Sequence, residues 1–281
     1  MPELPEVETM RRGIEPVLGS RVVGVERPRS RLQSIAIVPR FDVFRRRIEN
    51  RKIANVGRLG KRVVLELDSG DRLVLEPRMS GLILLRNPPN ETHLRLVFHL
   101  AGGKARQFLF WDQRGLGVAS LLSREEYEKK LGPSKIGPDA LTVSPETLRE
   151  RFRKCRRPIK VALMDQKLLA GVGNLYASEI LHRCRIHPAR RCDRLRPKDW
   201  KAVHAAMQDV LADAIRHQGS TLRDGTYRIA RNEPGNFQIR HRVYQRHGEI
   251  CLQCEKREIV RIVQAQRSTF FCPLCQKEGK R

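Results

Sequence analysis

Near its C-terminal end the chain reads Cys251-Leu-Gln-Cys254 and, after seventeen intervening residues, Cys272-Pro-Leu-Cys275. Each CxxC pair sets two thiolates on one tight turn, and two such pairs at this spacing form a tetrahedral four-sulfur site for zinc. Four sulfur ligands leave no position open to substrate. One structural Zn2+ is therefore expected, holding a finger too small to fold alone. The alternative of two redox CxxC pairs lacks a neighbouring βαβ pattern. The intervening segment REIVRIVQAQRSTFF is β-rich and long enough for a hairpin, with Arg261 and Arg267 on it as candidate phosphate contacts. The other cysteines, Cys155, Cys184 and Cys192, are scattered, which argues against a disulfide framework.

Charge narrows the partner. Lys and Arg number 56 against 31 Asp and Glu, a formal net charge of +25, and such a balance favours a polyanion over a small neutral ligand. Residues 1–150 carry net +8 and residues 151–281 net +17, so the second half is the stronger grip on phosphate. The sequence has no apolar run of transmembrane length and no basic-then-apolar leader, so the expected location is the cytoplasm, at the nucleoid in a bacterium, without membrane association.

The 281 residues suffice for two modest domains. Val7, Met10, Ile14 and Leu18 share one helix face directly after the opening octet MPELPEVE, with Pro5 at the first helical position and Glu6 and Glu8 at the positive dipole end. From about residue 20 to 120 short β-rich runs follow, among them RVVLELDSGDRLVLE with a hairpin turn at Asp68–Asp71, THLRLVFHL and RQFLFW. One helix ahead of a run of short antiparallel strands reads as a β-sandwich or barrel. LGPSKIGPDALTVSPE, rich in Pro, Gly and Ser, is a linker. Beyond it Ser144 is a candidate N-cap, and helices are expected in PIKVALMDQKLL, NLYASEILHRC and PKDWKAVHAAMQDVLADAIRH.

Several short motifs carry a second reading beside a plain structural one. GVGN at 171–174 has no strand ahead of it, which excludes a Rossmann site, but backbone amides at a helix N-terminus suit a phosphate, making Asn174 a candidate backbone contact. Met79, in MSG at a strand end, is ordinary core or a wedge for the base stack. WDQRGLG offers Arg114 and Leu116 on a Gly-rich loop, suited to an orphaned base and to space filling. The octet itself is a helix start or something more. If Met1 is removed, Pro2 becomes a terminal secondary amine, whose pKa of about 8 leaves roughly a hundredfold more neutral nucleophile than a lysine at pH 7. Such an amine can form an iminium at an aldehyde-like carbon, and Glu3 beside it could move the proton.

Taken in order, PELPEVE, GKRVVLEL, MSGLILL, WDQRGLG, IKVALMDQKLLAGVGNLYASEIL, RIHPAR and AQRSTFFCPLCQ resemble formamidopyrimidine-DNA glycosylase over essentially the whole chain. The resemblance implies an α+β multidomain protein: an N-terminal β-sandwich with a leading helix (1–132), a linker (133–143), a helix-two-turn-helix domain (144–240) and a four-cysteine zinc finger (241–281). It implies a monomer acting on damaged double-stranded DNA held between the domains, with the lesion nucleotide flipped out for chemistry at its sugar. On the family pattern Pro2 attacks that sugar, releasing the base and leaving a Schiff base, and Glu3 protonates the ring oxygen. Lys61 contacts DNA and assists β-elimination, and Arg267 grips phosphate and serves δ-elimination. His93, Arg114, Arg156, Lys160 and Asn174 match DNA contacts, Met79, Arg114 and Leu116 the void-filling trio, and Glu6 and Glu179 acidic positions read as structural.

The chain departs from the family where HLGMSG becomes Glu76-Pro-Arg-Met79-Ser-Gly81 and DPRRFG becomes Asp112-Gln-Arg114-Gly-Leu116-Gly117. Leucine can fill space but cannot stack as an aromatic wedge does. The implied activity is removal of oxidised purines such as 8-oxoguanine and formamidopyrimidines, followed by AP lyase cleavage. The alternatives are an endonuclease VIII-like preference for oxidised pyrimidines, against which PELPEVE argues, and binding of damaged DNA without catalysis.

Overall fold

The computed structural model describes residues 2–222 and 225–278. Contacts divide the chain into two units, Met1–Gly132 with Ile215–Gln238, and Pro133–Ala214 with Ile239–Arg281.

The first unit begins with helix α1 (Leu4–Gly13), one position earlier than the proline signal placed it. Glu6 Oε2 accepts the Glu3 N–H at 2.9 Å, half of a capping box that satisfies a donor left over at the helix start. The strands β1 (Arg21–Glu26), β2 (Ala36–Val38), β3 (Ile53–Leu59), β4 (Arg62–Leu67), β5 (Arg72–Glu76), β6 (Gly81–Leu84), β7 (Leu94–Ala101), β8 (Gln107–Asp112) and β9 (Val118–Leu122) form two sheets. One has the order β1-β7-β8-β6 and the other β2-β9-β5-β4-β3. The expected β4–β5 hairpin is present, Glu66 pairing with Arg72 across the turn. The sheets are not wholly antiparallel, because β2 runs parallel to β9.

Leu65 and Leu75 of one sheet share a core with Leu84, Phe98 and Phe110 of the other, where Phe98 stacks on Phe108 at 4.2 Å. Val64 and Val74 instead meet Leu122, Tyr127 and Leu131 on the opposite face. Helix α2 (Phe41–Ile48) buries Phe44 and Ile48, and α3 (Arg124–Leu131) supplies that outer cover. Cover on both faces is why β4 and β5 read as unbroken apolar runs rather than alternating ones. Residues 215–238, which the sequence reading grouped with the helical domain, contribute Tyr227, Ile229 and Ala230 to this same core. They approach α1 so closely that a Cβ on Gly13 would lie 2.3 Å from the Ala230 Cβ.

The second unit holds α4 (Pro145–Phe152), capped by Ser144 Oγ accepting the Thr147 N–H at 3.1 Å, then α5 (Ile159–Leu163), α6 (Asn174–Arg183) and α7 (Pro197–Arg216). PIKVALMDQKLL is thus a shorter helix than its composition suggested. It stops at Leu163 because Asp165 and Gln166 turn the chain: Asp165 Oδ1 accepts the Lys167 N–H, and Gln166 bonds the backbone of Met164, Gly171 and Val172. Phe152 packs on the buried Trp200 of α7 at 5.4 Å between ring centres. The hairpin β10 (Val260–Gln264) and β11 (Arg267–Phe271) closes the unit, as its spacing predicted. Among the described residues no helix is long and apolar enough to cross a membrane.

Candidate active site and nucleic-acid interface

Pro2 and Glu3 are buried where α1 begins, Glu3 being 4% exposed. Their surroundings are fixed by Glu6, whose Oε2 takes the Glu3 N–H and whose Oε1 takes the Ser220 N–H at 2.8 Å. Gly219 must adopt φ +76°, and any side chain there would meet the Glu6 carboxylate. Tyr227 then donates its hydroxyl to Gln218 O at 2.9 Å. Glu6 therefore holds the chain terminus and the 218–220 turn together, the structural role read for it in the sequence. Burial beside the Glu6 charge pushes the Tyr227 phenol well up, so it stays a neutral donor.

Lys61, half-buried, lies in the two-residue loop between β3 and β4. The expected void-filling residues come from two neighbouring loops. Met79 sits in the turn between β5 and β6 rather than at a strand end, and is 38% exposed; Leu116, in the loop after β8, is 39% exposed, and Arg114 is exposed beside it. Large apolar side chains left this open are available to a partner.

One residue that sequence reasoning missed joins these loops. Asp112 is fully buried, and its carboxylate accepts from Ser80 Oγ at 2.6 Å, from the Arg114 N–H at 3.2 Å and from the Gly117 N–H at 2.7 Å. Its own carbonyl accepts Arg95 Nε at 2.9 Å. Asp112 thus sets both turns from which Met79, Arg114 and Leu116 project. Its place at a strand end before a Gly-rich loop was the only sequence signal. His93 faces Asn90, Nδ1 to Oδ1 at 2.8 Å, with its ring 5.5 Å from that of Trp111.

In the second unit, residues far apart in sequence converge. Lys160 Nζ donates to Asn174 Oδ1 and, at 3.3 Å, to Ser268 O, while Asn174 Nδ2 donates to Ser268 O at 3.1 Å. The start of α6 and the strand bearing Arg267 are therefore held by one polar knot. Lys160 is buried within it, whereas Arg156 and Arg267 are exposed. Glu179, also buried, accepts the N–H groups of Arg242, Val243 and Tyr244 at 2.8 to 3.0 Å, tying α6 to the approach to the finger. Burial nevertheless dominates and raises its pKa. This is a structural use, as expected.

The four finger cysteines bring their sulfurs within 4.8 Å of one another, Cys251 to Cys275 at 3.9 Å and Cys254 to Cys272 at 3.7 Å. Tetrahedral zinc with Zn–S bonds of about 2.3 Å requires sulfurs about 3.8 Å apart. The donor set fits one structural Zn2+. His182 Nε2 lies 3.4 Å from Cys251 Sγ, a ligand-orienting contact that the spacing could not show.

A buried terminus, two loops with exposed apolar tips, exposed arginines and a four-cysteine cluster that fits zinc suit a nucleic-acid-binding protein. Three family descriptions match in chain order: formamidopyrimidine-DNA glycosylase N-terminal domain over residues 1–119, formamidopyrimidine-DNA glycosylase H2TH domain over 136–226, and the zinc finger found in FPG and IleRS over 248–277. The chain belongs to the formamidopyrimidine-DNA glycosylase family. It is 41% identical to the formamidopyrimidine-DNA glycosylase of Chloroflexus aggregans, covering 98% of each chain. Among solved structures it resembles the MutM (Fpg) protein of Thermus thermophilus at 36% identity and TM-score 0.84, covering 99% of this chain and 100% of that one. A Lactococcus lactis Fpg mutant in complex with Fapy-dG-containing DNA matches at 32% identity and TM-score 0.84, with 99% and 100% covered.

Proposed function

We propose that this glycosylase and AP lyase uses Pro2 as its nucleophile on oxidised purines in duplex DNA. With Met1 removed, the proline nitrogen attacks the sugar carbon of the flipped lesion nucleotide, the glycosidic bond breaks and the base leaves. Glu3 protonates the ring oxygen, which opens the sugar to a Schiff base. Lys61 assists β-elimination and Arg267 the following δ-elimination. The observation that carries this reading is the fixed terminus: Glu6 binds both Glu3 and Ser220, so Pro2 and Glu3 start from one geometry and little ordering remains at the reaction.

DNA is held by phosphate contacts from Arg156, Arg267 and the α6 N-terminus at Asn174, with buried Lys160 adding charge behind Asn174. His93 supports the backbone on the sandwich side, and Met79, Arg114 and Leu116 fill the space left by the flipped nucleotide. Cys251, Cys254, Cys272 and Cys275 would hold a zinc ion that supplies structure rather than chemistry, fixing the hairpin that carries Arg267. The test is product analysis on matched duplexes containing 8-oxoguanine or thymine glycol. Faster release of 8-oxoguanine supports the purine reading. Faster release of thymine glycol overturns it.

A further inference from the structure

β3 and β4 pair as far as Leu59 opposite Arg62, so Gly60 and Lys61 make up the whole hairpin loop. Gly60 has φ +55° and Lys61 is not among the positive-φ residues, the pattern of a type II′ turn with glycine at its first central position. That turn fixes the direction in which the chain enters Lys61. It does not by itself anchor the hairpin tip.

The anchor is Arg58. Its Nη1 donates to Gly60 O at 2.9 Å and its Nε donates to Glu8 Oε2 at 3.0 Å. The Arg58 side chain is 8% exposed and that of Glu8 10%, so the pair is largely shielded from water. Glu8 belongs to α1, the helix that Pro2 and Glu3 precede, and is held there by Arg12 at 2.8 Å and Arg11 at 3.1 Å. Arg11 also reaches Val56 O on β3 at 3.3 Å. Arg58 thus spends one arm of its guanidinium on α1 and another on the peptide that leads into Lys61. A lysine could neutralise Glu8 but lacks the planar fork that reaches both partners.

We propose that Arg58 is a positioning residue for Lys61, clamping the Gly60–Lys61 turn to Glu8 and so setting Lys61 against the reaction centre at Pro2. The inference rests on the reading of Lys61 as an aid to elimination. Arg58 acts through the turn and does not touch the substrate.

A double-mutant cycle tests it. Single-turnover cleavage of a duplex bearing a preformed abasic site is measured for the wild type, Arg58→Lys, Lys61→Ala and the double variant, with thermal melts to follow folding. Each single change is expected to slow elimination roughly tenfold or more, and the double variant to be no slower than Lys61→Ala, because Arg58 has nothing left to position. A purely structural role would make the losses multiply; that outcome, or wild-type cleavage by Arg58→Lys, overturns the proposal. Wild-type cleavage by Lys61→Ala removes the Lys61 assignment and this inference with it. Should Arg58→Lys not fold, Glu8→Gln replaces it in the same cycle, with the same outcomes deciding.

Discussion

At Gly115 the backbone has φ +64°, and a Cβ there would lie 2.3 Å from Gln33 O. The second arginine of the family's loop is therefore excluded by the path of the chain at this position. Gly115→Arg is expected to cost about 1–2 kcal/mol from the left-handed backbone alone, with the clash added, and to lower the melting temperature by several degrees. An unchanged melting temperature would contradict the geometry. Leu116→Phe, at an exposed tip, should leave stability within about 0.5 kcal/mol while changing opposite-base discrimination, as measured by excision opposite each of the normal bases.

Glu8 shows how much a residue type leaves unsaid. The sequence presents it as a favourable charge near a helix start, whereas the fold places it under Arg11, Arg12 and Arg58. Burial raises its pKa, but the three hydrogen-bonded guanidinium groups outweigh that and hold the carboxyl below its ordinary value. A carboxyl depressed in the folded state contributes stability above its unfolded pKa of about 4.3 and loses it as pH falls through the folded value. Glu8→Gln should accordingly melt lower than the wild type at pH 7, the gap narrowing below pH about 4. A gap that is constant from pH 7 to 3 would show that the ion pairs do not act this way.

At the scale of elements, the finger is the part whose chemistry and spacing coincide. Cys272→Ser should reduce zinc from about one ion per chain to well below that. Duplex affinity should fall with it, and the dependence of log affinity on log salt should become shallower by about one phosphate contact as Arg267 loses its mounting. Full zinc content in that variant would refute four-cysteine coordination.

The finger was legible because both CxxC pairs lie within one short segment, and α1 and α7 because their apolar stripes repeat at helical spacing. Helix α3 was not legible, since Tyr127 and Leu131 are its only packed apolar residues and neither is fully buried. That the segment 215–238 packs with α1 was not legible for a related reason: its buried Tyr227, Ile229 and Ala230 follow no period, and α1 lies some two hundred residues earlier. Asp112 and the Lys160–Asn174–Ser268 knot escaped because a local pattern does not reveal which distant group will pair with a buried carboxylate or ammonium.

At the scale of the whole molecule, the chain carries a net charge of +25 although it opens on an acidic octet. On the proposed reading the positive field gathers duplex DNA without regard to sequence, while the chemistry is assigned to Pro2 and Glu3. Binding should therefore weaken steeply with salt in wild type and Pro2→Gly alike, and equal salt slopes would separate capture from catalysis. The central claim is tested most directly by borohydride trapping on an 8-oxoguanine duplex, with the adduct digested and its peptide identified by mass spectrometry after confirming that Met1 is absent. The account predicts DNA attached to the N-terminal peptide through Pro2, and no such adduct in Pro2→Gly. Attachment at Lys61 or any other lysine would contradict it.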